Sequence, residues 1–201
     1  QVIRECLAAG GDLTGRDWAG AALAGADFSG RDLRGAFFER ADLANADFQG
    51  ANLEGAVFTG AVLTGADFSD CTMRGANLSK VEARGARFAR SDLTDARLMF
   101  AQLAEADLSA TTIENATALE VDLTRADLSN AQLTTSTFIK AKLDEAVLDG
   151  AEFQRCAFLQ ATMDRLSARG TRFERSALVA CTQRDGDYTG ADFTGTGSVG
   201  G

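Results

Sequence analysis

A solenoid, one short unit stacked on itself along the chain, is the fold class this sequence predicts, and three observations predict it. The first is a period of five. Counting from Leu13 gives Trp18, Leu23, Phe28, Leu33, Phe38, Leu43 and Phe48, and the series runs in one phase to Phe193 with no insertion or deletion. Its only members that are not large and apolar are Ala83, Ala118, Ala168 and Gln183. A strict five is neither the 3.6 period of a helix nor the 2 of an ordinary strand. The second is a small residue two places before most of these, as at Ala21, Ala26, Ala36, Ala41, Ala46 and Ala51. The third is composition: the 201 residues include no Pro, and 17 of the 21 Gly occupy the last place of the five. Pro would remove a donor from a ladder of hydrogen bonds between units. Corners at the last place call for a positive φ, which Gly supplies. Gly is absent from 86 to 149, so a different turn is expected there.

Such units are stable only in an array. Burying one Leu or Phe contributes ~1.5–3 kcal/mol, whereas ordering five residues costs ~1–2 kcal/mol apiece. Stacked units share backbone hydrogen bonds and one core, which is the nearest-neighbour stability of solenoids.

The repeated phrase is cleanest at Ala26-Asp27-Phe28-Ser29-Gly30, Ala46-Asp47-Phe48-Gln49-Gly50 and Ala51-Asn52-Leu53-Glu54-Gly55. Over about residues 11–195 the chain resembles the pentapeptide-repeat family, whose motif is written A(D/N)LXX. The resemblance implies an all-β fold, a right-handed quadrilateral β-helix. Four quintets make a coil, residue n stacks under n+20, and the central residue and the small one point inward. About nine coils, at ~4.8 Å each, give a rod roughly 40 Å long.

In chain order, residues 1–10 are expected to form a cap. Val2–Ala9 is out of phase and reads as a short helix, ended by Gly10-Gly11, whose apolar residues lid the first coil. The solenoid is assigned to 11–195. Folding its first coils by twenty stacks Phe28, Phe48, Phe68 and Phe88 on one side and Trp18, Phe38 and Phe58 on the opposite one. Val81 with Ala83, and Leu166 with Ala168, exchange large and small residues at conserved volume. Ala116 and Ala118 lack that compensation and predict a void. Arg16 and Arg31 fall at inward small sites and are expected to reach the open end or an adjacent Asp17 or Asp32. Cys71, Cys156 and Cys181 occupy inward small sites as core residues, and with Cys6 they form no disulfide framework. Gln183, Gly186, Tyr188 and Phe193 make a polar last coil without a lid, an edge open to pairing. Arg165, Arg169, Arg172, Arg175 and Arg184 cluster near it, and a flexible Gly-rich tail is expected over 196–201.

Catalysis finds no support. The chain has no His, no CxxC, no phosphate-cradling Gly loop and no GxSxG. No catalytic, cofactor-binding or metal residues are assigned, and no small-molecule substrate is expected. No apolar run reaches membrane-spanning length. A cytoplasmic, bacterial protein is expected, and the absence of an initiating Met suggests a fragment or processed form.

The net charge of −9 is banded. Residues 1–70 carry five basic and eleven acidic side chains, and residues 71–101 six and three. Residues 102–153 carry three and ten, and residues 154–201 six and five. One side carries an acidic ladder of Asp27, Asp47, Asp67, Asp107 and Asp127, interrupted by Arg87. Some pentapeptide-repeat proteins imitate duplex DNA, so the ladder raises an alternative function: binding DNA gyrase or topoisomerase through an acidic face. The belt of Arg74, Lys80, Arg84, Arg87, Arg90 and Arg97 across the middle counts against it. A solvated face dictated by the repeat is the preferred reading, and direct nucleic-acid binding is disfavoured at this charge.

The departure that points to function is apolar. On the side of Trp18, Phe38 and Phe58, the residue after the central one becomes Met99, Leu119, Ile139, Leu159 and Val179 in five successive coils, with Phe100 adjoining. On the other sides this outward site holds Thr, Ser, Asp, Glu, Arg, Gln or Ala. The stripe is ~19 Å long, and exposed apolar patches mark interaction surfaces. The competing expectation is a corner geometry that tucks these residues into the wall. The preferred function is a non-enzymatic interaction scaffold, engaging a protein partner or a second copy. The opening Glu5-Cys6-Leu7-Ala8-Ala9-Gly10-Gly11-Asp12-Leu13, and later Gly30-Arg31-Asp32-Leu33-Arg34-Gly35, resemble the start of C-terminal repeat domains in bacterial type VI secretion adaptors. That resemblance implies docking of effector or spike proteins.

Overall fold

The computed structural model describes residues 12–199, so the cap expected over 1–10 lies outside the described residues. Each turn of the chain uses twenty residues. Asp17 pairs in parallel with Phe37, Phe37 with Val57, Val57 with Asn77 and Asn77 with Arg97, and the same offset recurs as far as Arg172 with Asp192. In the second half the pairing lengthens into three-residue strands. These are β1 (Thr112–Glu114), β2 (Thr117–Leu119), β3 (Gln132–Thr134), β4 (Thr137–Ile139), β5 (Glu152–Gln154), β6 (Ala157–Leu159), β7 (Arg172–Glu174), β8 (Ala177–Val179) and β9 (Gly197–Val199). They form two parallel sheets, β1-β3-β5-β7 and β2-β4-β6-β8-β9, the first rising three turns and the second four. No helix occurs among the described residues.

The five-residue phrase follows from local chemistry. The second-place Asp or Asn turns its Oδ1 back to accept the N–H two residues on, as Asp27 does from Ser29 (2.9 Å), Asp47 from Gln49 (2.9 Å) and Asn52 from Glu54 (3.2 Å). Short side chains that mimic a backbone turn are favoured at such sites. The central residue donates its N–H to the next turn, as from Phe28 to the Asp47 carbonyl at 2.7 Å. The second-place residue donates to the previous turn, as from Asp47 to the Ala26 carbonyl at 2.9 Å.

The expected change of turn occurs at some corners: at Asn115, Glu120, Thr135 and Lys140 the regular turn gives way to a strand ending in a bend, while at the other corners of the Gly-free stretch it persists. Between 86 and 149, where Gly is absent, the last place keeps its left-handed φ on ordinary residues: 59° at Arg90, 60° at Phe100, 51° at Glu120 and 50° at Thr135. The inter-turn hydrogen bonds on both sides fix this conformation against its intrinsic cost.

The core is a column of the central and small residues, nearly all fully buried. Phe28, Phe48, Phe68 and Phe88 stack with centroids 4.7–5.0 Å apart, and Trp18, Phe38 and Phe58 stack at 4.9 and 5.0 Å. The two columns meet edge to face, as Phe38 does with Phe48 at 5.7 Å, a favoured aromatic geometry. Both volume exchanges hold, with Val81, Ala83, Leu166 and Ala168 all buried. Ala116 and Ala118 are both buried. Both aromatic columns give way to Leu at Leu78, Leu98 and Leu108, and the space among Leu78, Phe88, Leu93, Leu98, Leu103 and Leu108 is too small to hold a water molecule.

Inward Ser, Thr and Cys are satisfied by backbone carbonyls: Ser91 and Thr111 donate three residues back, to Phe88 (2.6 Å) and Leu108 (2.7 Å), and others reach the turn below. Those that do so donate to a carbonyl 23 residues earlier: Thr171 to Leu148 (2.7 Å), Ser176 to Phe153 (3.2 Å), Cys71 to Phe48 (2.9 Å) and Cys156 to Leu133 (3.4 Å). Burial pushes the Cys71 thiol up to about 12 and that of Cys156 to about 11, and both are free cysteines. Arg16 is exposed and donates to the Asp12 carbonyl instead of an adjacent Asp. Of the segment assigned to a mobile tail, Gly197–Val199 continues the ladder as β9, because its backbone meets the free edge of β8 at the same offset of twenty.

Candidate functional site

The apolar stripe lies on one wall. Leu119, Ile139, Leu159 and Val179 are consecutive partners in the register of β2, β4, β6 and β8. Met99 sits one turn below, with the Phe100 N–H donating to the Leu119 carbonyl at 2.7 Å. All five are half-buried, and Phe100 is 38 % exposed. Flanking them on the same wall are half-buried Ala157 and Ala177, and further down half-buried Val57 and Phe37, which is 41 % exposed.

Corner geometry changes along this wall but does not explain the residue choice. Leu119, Ile139, Leu159 and Val179 end strands, whereas Met99 lies in a turn. The adjacent wall has the same strand geometry in β1, β3, β5 and β7, and there the equivalent positions are Glu114, Thr134, Gln154 and Glu174. Polar side chains therefore satisfy that backbone. The apolar series is a property of one wall only.

The acidic ladder is also one column, with Asp27, Asp47 and Asp67 bridged in succession, then Arg87, Asp107 and Asp127. Each of these carboxylates accepts the N–H two residues on in its own turn. The Ser29 hydroxyl and N–H hold Asp27 below the ordinary carboxylate range. Burial raises Asp67, but hydrogen bonds from Ser69 and from Arg87 at 2.8 Å outweigh it and leave the carboxyl lowered. Most of the basic belt is paired within the chain at the rod's surface: Arg74 pairs with Asp92, Arg84 with Glu105, Arg87 with Asp67 and Arg90 with Asp70. Arg165, Arg169 and Arg172 pair with Glu145, Asp149 and Glu152.

One feature escaped the sequence reading. Glu105, Arg125, Glu145 and Arg165 alternate in sign up a single corner, with Arg84 below. Contacts are 2.6 Å from Arg84 to Glu105, 3.5 Å from Arg125 to Glu105, 2.8 Å from Arg125 to Glu145 and 2.7 Å from Arg165 to Glu145. Folding the fifth place by twenty would have revealed it. Among the described residues no three His, Cys, Asp or Glu side chains gather as a metal ion requires.

Comparison with known proteins supports this architecture. The chain is similar over 98 % of its length to HetL of the cyanobacterium Nostoc sp. strain PCC 7120, a pentapeptide-repeat protein involved in heterocyst differentiation regulation. Identity is 25 %, the TM-score is 0.58, and 94 % of HetL is covered. Rfr23 of the cyanobacterium Cyanothece 51142 matches 56 % of this chain and 90 % of its own at 17 % identity, with a TM-score of 0.50. QnrB1, a plasmid-mediated fluoroquinolone resistance protein, matches 93 % of this chain and 85 % of its own at 22 % identity and a TM-score of 0.42. A comparison with curated proteins finds no match. The pentapeptide-repeat family model matches residues 21–60, 61–99 and 101–138 with eight copies. With that match over more than half the chain, and with its twenty-residue register and inward Leu/Phe column, the chain belongs to the pentapeptide-repeat family.

Proposed function

We propose that this protein is a non-catalytic docking rod that binds another protein through the wall carrying Met99, Phe100, Leu119, Ile139, Leu159 and Val179. One observation carries the reading: two adjacent walls share a backbone geometry, and only one fills its outward column with large apolar side chains. A solvated wall gains nothing from such residues, and apolar patches of this kind mark interaction surfaces. The rest of the rod serves as a rigid mount. Its right-handed sense and about nine coils are part of this proposal, supported by the unbroken offset of twenty. The resemblance of the opening residues to type VI secretion adaptors supports a bacterial, cytoplasmic setting in which effector or spike proteins are the cargo.

The test replaces Leu119, Ile139 and Leu159 together with Ser. The circular dichroism spectrum should be unchanged and capture of the partner in a pull-down should be lost. Unfolding of the variant would instead make the stripe part of the core. The gyrase-binding alternative rests on the single column of Asp27, Asp47, Asp67, Asp107 and Asp127. It is disfavoured by Arg87 within that column and by the carboxylates' engagement with their own turns. Inhibition of DNA supercoiling by the purified chain would reverse that preference.

A further inference from the structure

We propose that the occupant of the apolar wall is a second copy of this chain, packed antiparallel about a two-fold axis through the turn of Ile139. The inference rests on the docking reading above and adds the partner and its register.

Two gradients run along the wall. The first is size. Its lower end presents Met99 and the protruding Phe100, and its upper end Val179, Ala177 and Ala180. The second is charge, along the corner column that borders the wall: Asp95, Asn115, Thr135, Arg155, Arg175. That column is continuous, for Asn115 donates to Asp95 Oδ1 at 3.3 Å and Thr135 to Asn115 Oδ1 at 2.6 Å. Asp95, Arg155 and Arg175 are exposed, and among the described residues the Arg175 guanidinium reaches one carboxylate, that of Glu174 at 3.8 Å.

A two-fold axis lying in the interface and perpendicular to the rods makes each column face itself in reverse order. Ile139 then meets its own copy, Leu119 meets Leu159 and Met99 meets Val179. Phe100 projects toward Ala180, and Asp95 faces Arg175. Large residues meet small ones and unlike charges meet, twice by symmetry, as an isologous interface requires. Lys140 approaches its copy near the axis, but each is held by Glu120 of its own chain at 3.6 Å. The antiparallel pairing sets exposed Arg97 opposite Ala177, whereas a parallel pairing sets Arg97 toward Met99 and adds Asp95 against Phe100 and Arg175 against Ala180, desolvating more charges on apolar side chains at a greater cost. Charge complementarity of this sort fixes register more than it adds affinity. A strip ~19 Å long covers less than the about 800 Å² per partner of a standard interface, so the pair forms in a concentration-dependent equilibrium.

Sedimentation velocity on a concentration series tests this. The wild-type chain should pass from monomer to dimer. Ile139→Lys, which sets two ammonium groups together on the axis, should be monomeric throughout. Asp95→Arg and Arg175→Asp should each weaken dimerisation about tenfold, since each turns two attractive contacts into repulsive ones. Mixing those two variants should restore dimers, because every facing pair is again unlike in sign. Failure of the mixture to associate while wild type dimerises overturns the antiparallel register. A wild-type chain that stays monomeric, together with a folded Ile139→Lys variant, overturns self-pairing but leaves docking of a different protein standing. Loss of the folded circular dichroism signal in Ile139→Lys overturns the docking reading itself.

Discussion

Thr135 holds a φ of 50° with a β-branched side chain, a conformation that Gly or Asn adopts far more readily. Asn already occupies such corners at Asn45, Asn115 and Asn130. Thr135→Asn should therefore raise stability by about 0.5–1 kcal/mol, measured by urea denaturation. These strained corners were not legible in the sequence. Loss of Gly reads as a change of turn, which does occur at Asn115, Glu120, Thr135 and Lys140, but the left-handed φ that persists there on ordinary residues does not show in the sequence. The second-place Asp was legible as consensus but not as mechanism, and the mechanism sets the pH response. Asp27 is lowered by the Ser29 hydroxyl and N–H, and Glu145 by Arg125 and then Arg165. A carboxyl with a depressed folded pKa contributes stability above its unfolded value, ~3.9 for Asp and ~4.3 for Glu, and loses it as pH falls through the folded value. The melting temperature should thus be level above about pH 5 and fall in acid. Glu145→Gln should make that fall shallower.

At the level of the stacked walls, the inward columns were readable almost residue by residue, since a large apolar residue every fifth place has only one place to go. Phe48 makes two stacked and two edge contacts and is fully buried. Phe48→Ala should cost about 3–5 kcal/mol, seen as a lower urea midpoint with an unchanged slope. Where Phe88 ends its column, Leu78, Leu98 and Leu108 take over without leaving room for a water molecule, an adjustment of the whole cross-section that no single position announces. The stripe was legible as a departure from pattern. What the sequence could not supply was the comparison of walls, since it does not reveal that β1 and β2 share a geometry while differing in what they present.

For the whole molecule, the offset of twenty is the controlling quantity. Deleting residues 41–60 removes one full turn and leaves every column in phase. That variant should fold with a lower melting temperature, because it loses one turn's contacts in a nearest-neighbour array. Deleting 41–50 instead shifts each wall onto the opposite one and should abolish cooperative unfolding, as followed by circular dichroism. The uneven placement of Gly at the corners has a kinetic consequence. Between Gly15 and Gly35, and again from Gly50 to Gly65, bends form without strain and sit beside the aromatic columns, whereas the stretch from Arg90 to Glu145 has no Gly at its bends and, apart from Asn115 and Asn130, bends at residues that resist it. Coiling should start in the first third and advance as a front, each finished rung serving as template for the next. Pulse-labelled hydrogen exchange during refolding should find amides near Phe48 protected before those near Leu123.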